Sequence, residues 1–208
     1  MNRSKIEWTD YTWNPVVGCK RGCSYCYARR IHERFNSHPF NEIAVYDERL
    51  EQPLKIKKPS KIFVGSMSDI EYWAIPQINN VLEIISKCPW HIFMFLTKGG
   101  ETYKRFDFSN NCWLGQTVVK KEDYVELPHK NIKFVSFEPL LDNNIGNYRF
   151  PADWYIIGGL TPKPRHSKEA IDRILSQAEY FGTPVFIKPN ANYPKIIKEY
   201  PKLTERVR

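Results

Sequence analysis

The chain has 208 residues, of which 42% are hydrophobic and 26% are charged, the ordinary composition of a globular protein. It contains no run of about 18 apolar residues, so we expect no membrane-spanning helix, and its length favours a single domain over residues 1–208. Lysine and arginine number 31 against 23 aspartates and glutamates, an excess that weakly favours anionic partners such as nucleic acid or nucleotides.

The first eight residues lack the apolar core of a signal peptide, so we expect a cytoplasmic protein. Thiols stay reduced in that compartment. The five cysteines of the chain are therefore interpreted as metal ligands or core residues, and not as disulfides.

Residues 1–18 are predicted to form an N-terminal arm that leads into a first strand at 13–18. Three cysteines follow, Cys19, Cys23 and Cys26, with the spacing C-x3-C-x2-C. Three thiolates at one point suit a soft metal or an iron–sulfur cluster, and a site that carries out chemistry keeps one coordination position open. A second interpretation is a structural Cys3His zinc site completed by His32 or His38, although this spacing is atypical of zinc sites.

The remainder of the chain alternates short apolar runs with segments of helical period. Apolar runs at 62–65, 92–96, 112–115, 132–137, 154–157 and 185–187 fit buried parallel strands. Helices are predicted at 27–35, 75–87 and 167–180. A complete eight-fold barrel typically needs about 250 residues, so we expect an α/β fold, a partial (β/α) barrel of about six to seven mostly parallel strands. An open doubly wound sheet is the alternative.

Polar residues or glycines follow nearly every predicted strand. Because sites in parallel α/β folds form at the carboxyl ends of the strands, these residues are candidates for ligand contact. They are Ser66, Ser68, Asp69, Thr97, Lys98, Gln116, Ser136, Glu138, Gly158, Gly159 and Lys188. The cysteine loop also follows a predicted strand, which assigns it to the same edge.

The cysteine spacing resembles the signature of the radical S-adenosylmethionine (SAM) superfamily, which lies after the first strand of a partial α/β barrel and usually has an aromatic residue before the last cysteine, here Tyr25. Over most of its length the chain resembles the phage Gp37/Gp68-like (DUF5131) family, which is itself radical-SAM-like. The matching stretches are residues 5–10, 13–15, 22–28, 64–69, 95–98, 113–115, 136–140 and 157–159. One departure is the sequence Leu160-Thr161-Pro162, where relatives commonly have Glu-Ser-Gly after the Gly-Gly turn.

The resemblance implies an enzyme in which Cys19, Cys23 and Cys26 hold a 4Fe–4S cluster. In this superfamily the fourth iron binds the amino and carboxylate groups of SAM, and an electron from the cluster cleaves SAM to methionine and a 5′-deoxyadenosyl radical. The radical abstracts hydrogen from the substrate, while the protein positions the cofactors. The implied partners are SAM, an electron donor and a substrate that is a nucleotide, a nucleic acid or a partner protein.

The resemblance and the chemistry of SAM together suggest roles for the strand-end residues. Ser66, Ser68 and Asp69 are expected to accept hydrogen bonds from the SAM ammonium, and Lys98 is expected to bind its carboxylate. Gln116, Ser136 and Glu138 are candidates for the ribose hydroxyls. Gly158 and Gly159 would let the main chain approach the adenine.

A function of a different class remains open at this point, a nucleic-acid-binding module with a structural Cys3His zinc site. It rests on the net positive charge, on aromatic residues interleaved with basic ones, and on a basic tail at 195–208. Zinc without iron in the purified protein would favour this alternative.

Overall fold

The computed structural model of the chain describes residues 1–36, 38–127 and 130–202. Its α-helices are α1 Tyr27–Phe35, α2 Ile75–Ser86 and α3 Lys168–Phe181. Its strands are β1 Asn2–Arg3, β2 Tyr11–Trp13, β3 Val16–Val17, β4 Ala44–Val45, β5 Lys61–Val64, β6 Ile92–Thr97, β7 Cys112–Thr117, β8 Ile132–Phe137, β9 Trp154–Ile157 and β10 Val185–Ile187. The predicted α/β class with mostly parallel strands is confirmed.

The chain divides into two compact units. The first comprises Met1–Thr97 and Phe106–Trp113, and the second comprises Lys98–Arg105 and Leu114–Arg208. Strand β7 therefore begins in the first unit and ends in the second. A single domain over the whole chain stays a prediction.

In the first unit, β1 runs antiparallel to β2, while β2, β5 and β6 run parallel to one another. Trp13 lies opposite Val64, and Val64 lies opposite Phe95. Large aromatic side chains fill the core on these strands, with the Trp13 and Phe93 ring centroids 5.8 Å apart. The buried Ile78, Val81 and Ile85 of α2 follow the predicted helical period.

The predicted first strand at 13–18 is wrong in its bounds. Pairing in the main sheet of the first unit ends at Trp13, and Val16–Val17 instead pairs antiparallel with Ala44–Val45 in a separate two-stranded sheet. Asn14 and Pro15 interrupt the strand, because proline has no N–H to donate to a neighbouring strand. The cysteine loop thus follows the two-residue strand β3, which begins directly after Pro15.

In the second unit, β8, β9 and β10 are parallel, with Phe137 opposite Ile157 and Ile157 opposite Ile187. Helix α3 packs Ala170, Ile171 and Ile174 into the core that these strands share. Ser167 is the N-cap residue of α3, since its Oγ accepts a hydrogen bond from Ala170 N at 3.3 Å.

Short 3-10 segments take the place of helices after several strands. They cover Gly100–Arg105 after β6, Lys121–Asp123 after β7 and Ile145–Asn147 after β8. Of the predicted basic tail, residues 203–208 lie outside the described residues. Within the described ranges, every helix is too short or too polar to cross a membrane.

Candidate functional site

The cysteine loop is anchored to two neighbouring segments as soon as it leaves β3. Gly18 N donates to Met67 O at 2.9 Å, and Cys19 N donates to Phe40 O at 2.8 Å. Gly18 has a φ of 108°, and a Cβ atom there would lie 2.2 Å from the Glu42 carbonyl oxygen. Glycine is therefore required at this position both by backbone conformation and by space.

The loop ends at the start of α1, where Cys26 is the N-cap residue. Its Sγ accepts from Arg29 N at 3.4 Å, so the sulfur lies at the positive end of the helix dipole. The Arg29 side chain donates from Nη2 to Cys23 O at 2.9 Å. The first turn of α1 thereby holds the side chain of Cys26 and the main chain of Cys23.

The three thiols are free and partly exposed. Cys19 and Cys26 pack, with Met67, against a small apolar cluster of Val17, Ala28 and Phe40.

Burial raises the pKa of the Cys19 thiol to about 11, opposed by a hydrogen bond from the main chain of Arg21. Asp69, Cys26 and Cys23 each add to the rise in this pKa. These three groups therefore lie close enough to Cys19 to interact with it electrostatically. In the described ranges, no three His, Cys, Asp or Glu side chains already converge as metal ligands. The donor set of three thiols nevertheless fits an iron–sulfur cluster with one open iron.

The turn after β5 carries Ser66, Ser68 and Asp69, and it is held by side chains distant in sequence. Asn14 Oδ1 accepts from Ser66 Oγ at 3.2 Å and from Met67 N at 3.1 Å, while Asn14 Nδ2 lies 3.0 Å from Ser66 Oγ. Asn14 lies in a stretch that carries the family resemblance, but the sequence pattern predicts no role for it. Its side chain determines the position of the turn.

Ser68 and Asp69 have partners of their own. Trp73 Nε1 donates to Ser68 Oγ at 3.1 Å. Asp69 Oδ1 accepts from Glu71 N at 3.1 Å and from the Thr97 hydroxyl. The side chains of Ser68 and Asp69 are thus both hydrogen-bonded within the protein.

The cysteine loop and this turn contact each other directly. Tyr27 OH donates to Ser66 O, Gly18 and Ser68 form a parallel bridge, and Arg21 makes an ion pair with Glu71. The structure therefore brings six of the predicted residues together in the first unit: Cys19, Cys23, Cys26, Ser66, Ser68 and Asp69.

The histidines proposed for a zinc site differ in their contacts, and His38 Nε2 has no hydrogen-bond partner in the described part of the chain. His32 is buried, its Nε2 lies 3.0 Å from His38 O, and the two rings pack edge to face at 4.5 Å. Nε2 of His32 is thus used by the main chain.

Of the remaining predicted residues, Thr97 ends β6 in the first unit, and the others lie in the second unit. Lys98 directly follows β6. The amide of Gln116, predicted to contact ribose, hydrogen-bonds Val125 on both sides, accepting from its N at 2.9 Å and donating to its O at 2.7 Å. Ser136 is fully buried, and its Oγ has no hydrogen-bond partner in the described part of the chain.

Glu138, Gly158 and Lys188 form a second group in that unit. Lys188 makes a partly buried ion pair with Glu138, and Lys188 N donates to Ile157 O at 2.9 Å. A Cβ atom on Gly158 would lie 3.1 Å from the Glu138 side chain. A Cβ atom on Gly159 would lie 2.3 Å from Asn190 O, so close packing within the protein already requires that glycine.

The chain matches the family described as a protein of unknown function, DUF5131, over residues 3–206, and it belongs to that family. It is also similar to the uncharacterized protein MJ0683 of Methanocaldococcus jannaschii, with 28% identity over 167 residues. That alignment covers 72% of this chain and 62% of MJ0683, so the chain spans less than two thirds of the relative's length.

Two solved structures of spore photoproduct lyase resemble this chain. The complex with dinucleoside spore photoproduct gives a TM-score of 0.52 at 13% identity, and a cysteine-to-serine mutant gives 0.55 at 14%. Each comparison covers 86% of this chain and 63% of the other. Spore photoproduct lyase is a radical SAM enzyme, so the predicted radical SAM type of fold is confirmed.

Replacing Gly18 tests how tightly the loop entry is built. We expect Gly18→Ala to lower the free energy of unfolding by at least about 2 kcal/mol, because it combines a strained backbone with a clash. Gly22→Ala is the matched control, since Gly22 also has a positive φ, of 70°, but no atom lies within 4 Å of its Cβ position. The control should cost about 1 kcal/mol. Equal losses in urea unfolding would contradict a steric requirement at Gly18.

Proposed function

We propose that this protein is a radical SAM enzyme that acts on a nucleotide or nucleic acid. The observation that carries the proposal is the direct contact between the three-cysteine loop and the Ser66–Asp69 turn within one unit. A soft-metal donor set with an open position thus lies beside hydroxyl and carboxylate acceptors suited to an ammonium group. We also propose the cytoplasm as its compartment, since free thiols persist under reducing conditions.

In this proposal Cys19, Cys23 and Cys26 hold a 4Fe–4S cluster, which, with bound SAM, would supply the one-electron cleavage that generates the radical. The side chains of Ser66, Ser68 and Asp69 orient the SAM ammonium. These three acceptors are positioned by hydrogen bonds from Asn14, Trp73 and Thr97, which would fix their rotamers before SAM binds. Lys98 is the proposed partner of the carboxylate.

The candidate residues of the second unit differ in whether their polar atoms are already hydrogen-bonded within the protein. Ser136 has a buried hydroxyl with no hydrogen-bond partner in the described part of the chain, and Glu138 is paired with Lys188. Both stay our proposed partners of the ribose hydroxyls. Gln116 is already engaged with Val125, which makes it the weaker of the three candidates. Gly158 remains a candidate for main-chain contact with the adenine, and Gly159 has a packing role that it would keep in any case.

The substrate class rests on two observations. The chain carries a formal charge of +8, and a structure of similar fold is complexed with dinucleoside spore photoproduct. Both favour a polyanionic or nucleoside substrate. The zinc-module alternative is less well supported, because the C-x3-C-x2-C spacing is atypical of zinc sites and the fold is of the radical SAM type.

Anaerobic reconstitution tests the proposal. Protein supplied with iron and sulfide should take up about four irons per chain, and after reduction with dithionite it should convert SAM to 5′-deoxyadenosine. Cys23→Ala should abolish both, while Cys88→Ala, which removes a buried thiol outside the loop, should retain both. One zinc per chain with no cluster formed would overturn the proposal in favour of the zinc module.

Ser136→Ala separates ligand contact from packing. The variant removes a buried hydroxyl that has no hydrogen-bond partner among the described residues, so thermal stability should rise slightly or stay unchanged. Affinity for SAM should fall about fivefold, since one hydrogen bond is worth about 1 kcal/mol. Isothermal titration with SAM on the reconstituted protein measures this, with Ser176→Ala on the exposed side of α3 as control. Unchanged affinity would remove Ser136 from the site.

A further inference from the structure

Helix α1 exposes a continuous apolar stripe. Tyr27, Ile31 and Phe35 are 46%, 47% and 75% exposed, and their spacing of four residues places them on one side of the helix. The inner side is formed by the buried Ala28 and His32. Single exposed apolar residues are ordinary, but a contiguous apolar patch with polar borders marks an interaction surface.

Arginines border this stripe. Arg30 and Arg34 are exposed and lie three residues after Tyr27 and Ile31, which makes them neighbours on the helix surface. The segment 19–35 contains five lysines and arginines and one glutamate. Such a surface attracts an acidic partner and repels a second copy of itself. We call Tyr27, Arg30, Ile31, Arg34 and Phe35 the α1 face.

The α1 face begins at the cysteine loop. Cys26 caps α1, and a nine-residue helix is about 13 Å long, so all of this surface lies within about that axial distance of a proposed cluster ligand. The inference rests on the proposed function, in which the cluster takes up one electron for each SAM cleaved. That electron has to arrive from a donor that docks near the cysteines.

We propose that the α1 face is the docking site of an acidic one-electron carrier protein, of the flavin or iron–sulfur class. In the step at this interface, the reduced carrier loses one electron and the oxidised cluster gains it. No covalent bond forms or breaks between the two proteins. An apolar centre with a basic border suits the small, transient interfaces of electron-transfer pairs. Nucleic acid is a poorer fit, because Ile31 at the centre of the stripe offers no ring for base stacking.

Four variants test the α1 face. Arg30→Glu with Arg34→Glu reverses its charge, and Ile31→Ser with Phe35→Ser removes its apolar centre. Lys57→Glu with Lys58→Glu, in an exposed loop of the same unit, matches the first pair in net charge change. Tyr180→Ser, at a residue of α3 that is 82% exposed, is the apolar control.

The first measurement is stopped-flow reduction of the reconstituted cluster by reduced flavodoxin, an acidic flavin protein, with dithionite as the small reductant. The charge-reversed variant should be reduced by flavodoxin at least tenfold more slowly at low salt, with the difference shrinking at high salt. Flavodoxin should reduce the Ile31→Ser, Phe35→Ser variant about tenfold more slowly at both low and high salt. Controls should stay within twofold of the unaltered protein, and dithionite should reduce every protein equally.

The second measurement needs no cluster. Flavin fluorescence of flavodoxin, titrated with the protein as purified, should report salt-sensitive binding that both α1 variants lose and both controls keep. This result would stand even if reconstitution failed and the proposed function fell.

Several results would overturn the inference. Equal flavodoxin reduction or binding in all variants would do so, and so would an equal loss in the charge-matched control. Slower reduction by dithionite would show damage to the cluster site instead. A shift from dimer to monomer in the serine pair, or loss of single-stranded DNA binding alone in the charge-reversed pair, would assign the α1 face to a second copy or to nucleic acid.

Discussion

The parallel pairing of β2 with β5 is the constraint on which the candidate site of the first unit depends. Because the two strands run in the same direction, the chain leaves both at the same edge. The register places Trp13 opposite Val64, and Gly65 N donates to Trp13 O at 2.9 Å. Asn14, the next residue, then reaches the turn after β5. A slip of the register by one residue would exchange the two faces of the strand and move Asn14 away from Ser66.

The sequence predicted the elements whose pattern is local. Helices α1, α2 and α3 lie close to their predicted bounds, because an apolar period over nine or more residues carries its own information. The first strand was misplaced because its break at Asn14 serves a partner far along the chain. Asn14 and Ser66 are separated by 52 residues, and a single sequence does not state that they meet.

The roles of candidate site residues were harder to predict for the same reason. The strand-end pattern singled out Ser68, Gln116 and Lys188 as candidates, yet it could not show which of their polar atoms are already used. Trp73 takes the Ser68 hydroxyl, Val125 takes the Gln116 amide, and Lys188 pairs with Glu138. Satisfaction of hydrogen bonds is a property of the folded chain, whereas residue type is a property of the sequence.

The N-cap residue of helix α1 is Cys26, which is also a ligand of the cluster in the proposed function. A helix usually begins with an oxygen cap, which is a strong acceptor that is costly to withdraw. Here the cap is Cys26 Sγ, a weak acceptor at 3.4 Å from Arg29 N. In the proposed function, a sulfur that leaves this contact to bind iron would give up little helix stability, because the contact it breaks is weak. In the proposed function, the same residue would start the helix in the absence of metal and serve as a ligand in its presence, so the α1 face would keep its position while the loop takes up a cluster.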